Sequence, residues 1–246
     1  MMRLPSFFIA FLFFLIGCVP TQEVRNIKYA GYSVGRHQQV DSTYVEMLSY
    51  YADSVKKTMG EYLVENEADL LKETPNSALG NFLADAYLWA AKSKIDPRAE
   101  IAFMNHGGVR IFRMAKGPVN RGMIYEVMPF DNLICIVEVK GNILKNYLNR
   151  IAQEGGGGGQ SGVTMRLENN QATDISINGT PLDLNRTYFM VNSDYQVDGG
   201  GGFTAFKNLQ QNRSAYLQRD AIIDYCKWLK MEGKKINHAT LKRIVK

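Results

Sequence analysis

The sequence predicts an α+β fold built on mixed sheets, and three observations carry that reading. Apolar residues recur at helical spacing in several separate segments. Between them lie short continuous apolar runs, of the length and character of strands covered on both faces. Helices and strands do not alternate in a regular βαβ rhythm, so layered helices on a mixed sheet account for their order.

The first residues read as a targeting segment. Arg3 gives a positive start, and Phe7 to Ile16 is nearly all apolar but short for a bilayer span. The segment ends in Leu15-Ile16-Gly17-Cys18, which resembles the bacterial lipobox. Residues 1–17 are then a lipoprotein signal peptide, and Cys18 is the lipidated first residue of the mature chain. Several acyl chains anchor far more firmly than one. The expected location is the cell envelope, at the outer membrane or periplasmic face. An ordinary secretory signal with a chance cysteine is the alternative.

Residues 18–39 read as a polar tether with a first strand at IKYAGYSV, and the domain proper spans 40–246. A helix is expected over 42–59, capped by Asp41 or Ser42. Its inward stripe would be Val45, Leu48, Ala52, Val55 and Met59, with Gly60 as its stop. Leu79, Phe82, Leu83, Ala86 and Ala90 make a second helical stripe. A strand at 101–104 and a short helix near 120–127 come next. LICIVEV, 133–139, is apolar at successive positions, as in a strand covered on both faces.

Residues 141–154 return to helical spacing. Five glycines at 155–159 read as a flexible break. Strands follow at VTMRL, DISI and TYFMV, with Asn178-Gly179 as the tight turn after DISI. A last helix covers about 220–231 with Ile222, Ile223, Cys226 and Leu229 inward. One domain is favoured over two, because neither half around the glycine run looks complete.

The net charge of +5 is spread along the chain with no dense Lys/Arg block. That argues against a dedicated nucleic-acid binder and permits small anionic ligands. Export would permit a Cys135–Cys226 disulfide. Each lies in an apolar pattern, so two separately buried thiols are expected.

Only three histidines are present, His37, His106 and His238. There is no Asp-x-His, His-x-His, Gly-Asn-His-Glu or Walker loop. A two-metal hydrolase site needs many converging ligands, so no catalytic or metal-ligating residue is assigned. His106, beside two glycines, reads more readily as a positioning group than as a base.

Three segments carry binding chemistry. In NHGGVR, Gly107 and Gly108 permit positive φ and close approach of a ligand to backbone N–H groups. Asn105 offers a donor and an acceptor, and Arg110 a charged fork. A glycine turn with a surface arginine is the plainer alternative. In MPFDN, Phe130 offers a ring face and Asn132 an amide, or else a core ring and an Asx turn. In NSDYQVDGGGGF, Tyr195 offers a second aromatic plane, and Asp198 either an acceptor or only a loop residue.

Taken in order, Asn-x-Gly-Gly-x-Arg, Pro-Phe-x-Asn and Ser-Asp-Tyr followed by the glycine turn resemble the C-terminal substrate-binding domain of 5'-nucleotidases. Residues 77–86, SALGNFLADA, and 177–182, INGTPL, match further motifs of that family. The resemblance implies a four-layer α/β/β/α domain that clamps a nucleotide base between Phe130 and Tyr195. It further implies substrate contacts from Asn105, Arg110 and Asn132. Two departures stand out. Lys72 and Glu73 lie where the family usually has an arginine, and Gly200-Gly201-Gly202 replaces a turn that carries an acid, leaving Asp198 as a substitute.

The implied role is substrate recognition in a split 5'-nucleotidase-type phosphohydrolase of nucleotide catabolism. The partner would be a separately encoded metallophosphatase holding the divalent metals, with no cofactor in this chain. A non-catalytic lipoprotein that captures nucleosides or nucleotides, or a structural module without a ligand, are the alternatives.

Overall fold

The computed structural model describes residues 28–31 and 41–246. Cys18 lies outside them, as does half of the strand expected at 27–34; the other half, Lys28 to Gly31, carries no regular structure. Residues 47–246 form one packed body, and residues up to 46 group as a second unit. No helix among the described residues is long and apolar enough to cross a membrane.

Helix α1 (Ser42–Met59) forms where expected, but its apolar stripe is not buried. Leu48 and Val55 are 58% and 55% exposed, and Ala52 is exposed too. Helical spacing selects a face; it does not supply a partner for it.

The packed body continues with β1 (Tyr62–Asn66), β2 (Leu70–Leu71), α2 (Ala78–Lys94) and β3 (Ile101–Met104). Next come β4 (Arg113–Met114), β5 (Gly117–Asn120), α3 (Arg121–Val127), β6 (Leu133–Lys140) and α4 (Gly141–Gln153). Strands β7 (Gly159–Ser161), β8 (Val163–Glu168), β9 (Gln171–Ile177), β10 (Thr180–Pro181) and β11 (Thr187–Ser193) follow. The chain ends with the short α5 (Asp194–Val197), β12 (Gln211–Leu217), α6 (Gln218–Met231) and β13 (Ile244–Val245).

The central sheet runs β12-β6-β11-β3-β7. Its β11–β3 pair is parallel and the others are antiparallel, so the sheet is mixed. A second sheet runs β10-β9-β8-β13. The class is the α+β, mixed-sheet one that the sequence predicts.

Alternation along the central strands divides two cores. From β6, Ile134 and Ile136 enter the first core, with Leu79, Phe82 and Leu83 of α2 and Ile222 and Cys226 of α6. Cys135, Val137 and Val139 enter the second, with Leu144, Tyr147 and Leu148 of α4 and Val163 and Ile177 of the second sheet. Successive side chains of a strand point to opposite faces, which is why Leu133 to Val137 are apolar at every position before Glu138 breaks the run. Truncating one of its buried isoleucines to alanine costs about 2–5 kcal/mol. The two thiols are free and buried in separate cores. Burial pushes Cys135 up to about 11 and Cys226 up to about 12.

The glycine run is not a flexible break; it is packed. Gly155, Gly156 and Gly157 have positive φ, where a side chain is strained. Gly159 passes so close to α2 that a Cβ on Gly80 would lie 2.8 Å from its nitrogen. Helix α2 starts at Ser77, whose Oγ accepts from Gly80 N at 2.9 Å. Asn81 Oδ1 then accepts from Gln160 N at 3.2 Å, fastening the end of the run to the helix.

The C-terminal tail is fastened to the same helix. Asp85 receives His238 Nε2 at 2.8 Å, both Arg243 terminal nitrogens at 2.8 Å and Ser161 Oγ at 2.5 Å. Burial pushes the Asp85 carboxyl up, but these donors outweigh it and hold it at about 2.

Candidate functional site

Strand register brings the three binding motifs together. Ser193, the last residue of β11, pairs with Ile134 near the start of β6. Val191 lies beside Ala102 of the parallel β3, and Met104 pairs with Gly159 at the start of β7. Residues 105–110, 128–132, 155–158 and 194–203 therefore leave or enter the sheet at one end. Adjacent strands lie roughly 4.8 Å apart, so four neighbouring strand ends span about 15 Å. Loops at one end of a sheet, positioned by a rigid scaffold, are where binding residues concentrate.

NHGGVR forms a 3-10 turn over His106–Gly108. Neither glycine of the turn has positive φ, contrary to the sequence expectation. At Gly108 a Cβ would meet Met104 Cε at 2.4 Å and Asn105 Oδ1 at 2.8 Å, so those two side-chain ends would have to move aside. Gly107 is open, with only Asn105 Nδ2 at 3.8 Å. His106 Nδ1 lies 2.7 Å from the Gly157 carbonyl. A carbonyl only accepts, so Nδ1 carries the proton and the ring braces the turn against the glycine run.

Arg110 Nη1 donates to the Gly107 carbonyl at 3.2 Å, and its guanidinium sits 5.5 Å from the centre of the Phe130 ring. Lys72 stands beside it, donating to the Val109 carbonyl at 2.9 Å. Burial and the Arg110 charge hold the Lys72 ammonium below its usual range. A second cation thus occupies the neighbourhood that an arginine would be expected to fill, and Lys72 with Arg110 makes a surface suited to an anion.

The MPFDN loop is held from behind by Arg219. Its Nη1 donates to the Phe130 carbonyl at 3.3 Å and its Nη2 to Asp131 Oδ1 at 2.5 Å. The Asn132 carbonyl accepts from Gln218 N at 2.8 Å, leaving the Asn132 side-chain amide without a protein partner among the described residues.

Tyr195 opens α5 just past the N-cap Ser193, whose Oγ accepts from Gln196 N at 3.1 Å. Its ring lies so close to Gly200 that a Cβ there would meet Tyr195 Cε1 at 2.4 Å. Half of the tyrosine remains exposed, as does over a third of Phe130. The two rings make no contact with each other.

Asp198 does not take the place expected of it. It forms a two-point ion pair with Arg213 of β12, with Nη1 to Oδ2 at 3.0 Å, and it is not among the residues lining the cavity beside Tyr195. That pairing holds its carboxyl below the usual range.

The cavity, about 240 Å³, reaches from Tyr195 and Gly201 across Asn105–Gly107 to the glycine run. Arg150 and Glu154 of the α4 terminus also line it, with Tyr147 and Phe203 among its apolar walls. Arg150 and Glu154 were not singled out from sequence; their spacing of four at a helix end, directly before the glycines, was the available signal. Among the described residues, no group of His, Cys, Asp and Glu is placed to hold a metal ion.

A fold of helices on a mixed sheet, with loops carrying aromatic, amide and cationic side chains at one sheet end, defines an α+β domain with a small cavity there. Comparison with known proteins makes the family specific. The family described as "5'-nucleotidase, C-terminal domain" matches residues 57–208. The chain belongs to that family. It is 29% identical over 144 residues to a 5'-nucleotidase of Vibrio parahaemolyticus, covering 57% of this chain and 24% of that protein. Against the trifunctional nucleotide phosphoesterase protein YfkN of Bacillus subtilis it is 32% identical over 148 residues, 54% of this chain and 10% of the relative. The crystal structure of a 5'-nucleotidase precursor from Thermus thermophilus superposes with a TM-score of 0.70 at 28% identity, over 83% of this chain and 43% of that one. The chain thus spans about a quarter of the Vibrio relative and less of YfkN.

Proposed function

We propose that the chain is the nucleotide- or nucleoside-recognition half of a split 5'-nucleotidase-type phosphohydrolase, lipid-anchored through Cys18 at the cell envelope. The base stacks between Phe130 and Tyr195, Asn105 and Asn132 hydrogen-bond the ligand, and Arg110 supports the Phe130 face and supplies positive charge. Stacking on such planes contributes roughly 1–3 kcal/mol per base. In this reading a separately encoded metallophosphatase carries the divalent metals and performs the hydrolysis.

The observation that carries this reading is the shared strand end. Asn105, Phe130, Asn132 and Tyr195 come from segments far apart in sequence, yet the β6-β11-β3 register brings those segments to one end of the sheet, where Asn105 and Tyr195 line the cavity and Phe130 and Asn132 lie outside its lining. Family membership supports a nucleotide as the ligand class. Calorimetric titration with adenosine, AMP and a UDP-sugar tests it: at least one should bind saturably, and binding by none of the three would overturn it.

A further inference from the structure

Most of the side-chain donors lining the cavity beside Tyr195 are committed within the protein. Gln160 Nε2 is committed to the Val163 and Arg243 carbonyls, and Gln196 Nε2 to the Gly200 carbonyl. His106 Nδ1 is committed to Gly157, and the Tyr147 hydroxyl accepts from Asn192. The turn of Gly200, Gly201 and Gly202 brings no side chain at all. What remains is the Asn105 amide, the Tyr195 hydroxyl, the neutral acceptors His106 Nε2, Gln160 Oε1 and Gln196 Oε1, and the charged acceptor Glu154.

Glu154 is the one carboxylate lining this cavity. It caps the C-terminus of α4, and Arg150 Nε holds its Oε1 at 2.5 Å. Arg150 Nη2 reaches on to the Gly201 carbonyl at 3.4 Å, so one guanidinium ties the carboxylate to the glycine turn. Oε2 has no protein partner among the described residues. An ionised carboxylate only accepts hydrogen bonds, so a ligand group that meets it must donate. A pair of adjacent hydroxyls next to a ring stacked on Tyr195 supplies two such donors.

We propose that Glu154, positioned by Arg150, is the acceptor for the vicinal hydroxyls of a ribose whose base stacks on Tyr195. This rests on the nucleoside reading above and names the group that sets its sugar specificity. Arg150 is a positioning residue in this arrangement: it aims the carboxylate and offsets its charge against an incoming phosphate.

The test is calorimetric titration of the full mature chain and its Glu154→Gln variant with adenosine and with 2',3'-dideoxyadenosine. A hydrogen bond to a charged group changes affinity about tenfold or more. Wild type should bind adenosine about tenfold more tightly than the dideoxy analogue. Glu154→Gln should lose that preference while binding the analogue as wild type does. Its side chain is 56% exposed, so the variant should fold, and an unchanged Tm checks this. Arg150→Ala should reduce the preference only in part. Equal wild-type binding of the two ligands, or a preference that survives in Glu154→Gln, would overturn the role of Glu154 and leave the stacked-base reading standing. Binding of neither ligand by wild type would overturn both.

Discussion

His106 Nδ1 donates to the Gly157 carbonyl across a gap of 2.7 Å, and that bond joins the turn that carries Asn105 to the glycine run that forms the cavity floor. The two segments are distant in sequence and meet because β3 and β7 pair antiparallel just beneath them. Removing the ring by His106→Ala should cost about 1 kcal/mol of stability and weaken ligand binding by loosening the turn. Gly157→Ala should cost more, because φ there is +84° and the new Cβ would sit 2.6 Å from Thr74 Cγ2. Denaturant unfolding of both variants checks the order. Equal stability of Gly157→Ala and wild type would contradict the packed reading of the run.

Asp85 makes stability dependent on acid. Its folded carboxyl titrates at about 2, below the ordinary value of 3.8. The stabilisation is therefore fully present above about pH 5 and is lost as pH falls through 4 toward 2. A shift of that size is worth about 2 kcal/mol. Asp85→Asn should lower Tm at pH 7 and flatten the fall in Tm between pH 5 and 2. Differential scanning calorimetry across that range reads both effects, and parallel curves for the two proteins would contradict the account.

Much of this architecture is legible in residue pattern. The stripe from Leu79 to Ala90 and the apolar run Leu133 to Val137 are direct consequences of periods 3.6 and 2, and both sit where the pattern puts them. The three motifs could be read too, because each carries aromatic, amide or guanidinium groups beside strand ends. Long-range polar pairings could not. Asp85 and His238 are 153 residues apart, and Asp198 meets Arg213 only because β12 returns along β6. The glycine run misled in the other direction, since close packing and flexibility select the same residue. Helix α1 shows a further limit, because its apolar spacing fixes a helix and leaves Leu48 and Val55 in solvent.

The Leu15-Ile16-Gly17-Cys18 segment makes a separate prediction. The mature chain should begin at lipid-modified Cys18 and fractionate with membranes, and Cys18→Ala should block processing. Mass spectrometry of the N-terminus decides it, with an unmodified Cys18 as the contrary result.

Catalysis should need a second protein. The purified chain with added divalent metals should hydrolyse no nucleotide above buffer, whereas its cognate metallophosphatase should gain kcat/KM when the chain is added, through substrate positioning. Robust turnover by the chain alone, lost in His106→Ala, would show a catalytic site where a positioning group is assigned.

The central claim is the shared site of Arg110, Phe130 and Tyr195, and calorimetric titration of AMP into wild type, Arg110→Ala, Tyr195→Phe and Tyr195→Ala tests it most directly. Arg110→Ala and Tyr195→Ala should each weaken binding about tenfold or more, through loss of a charge-assisted bond and of a stacking face. Tyr195→Phe should be mild, because the ring face is retained. Wild-type affinity in both alanine variants would contradict the account and leave NHGGVR as a structural turn.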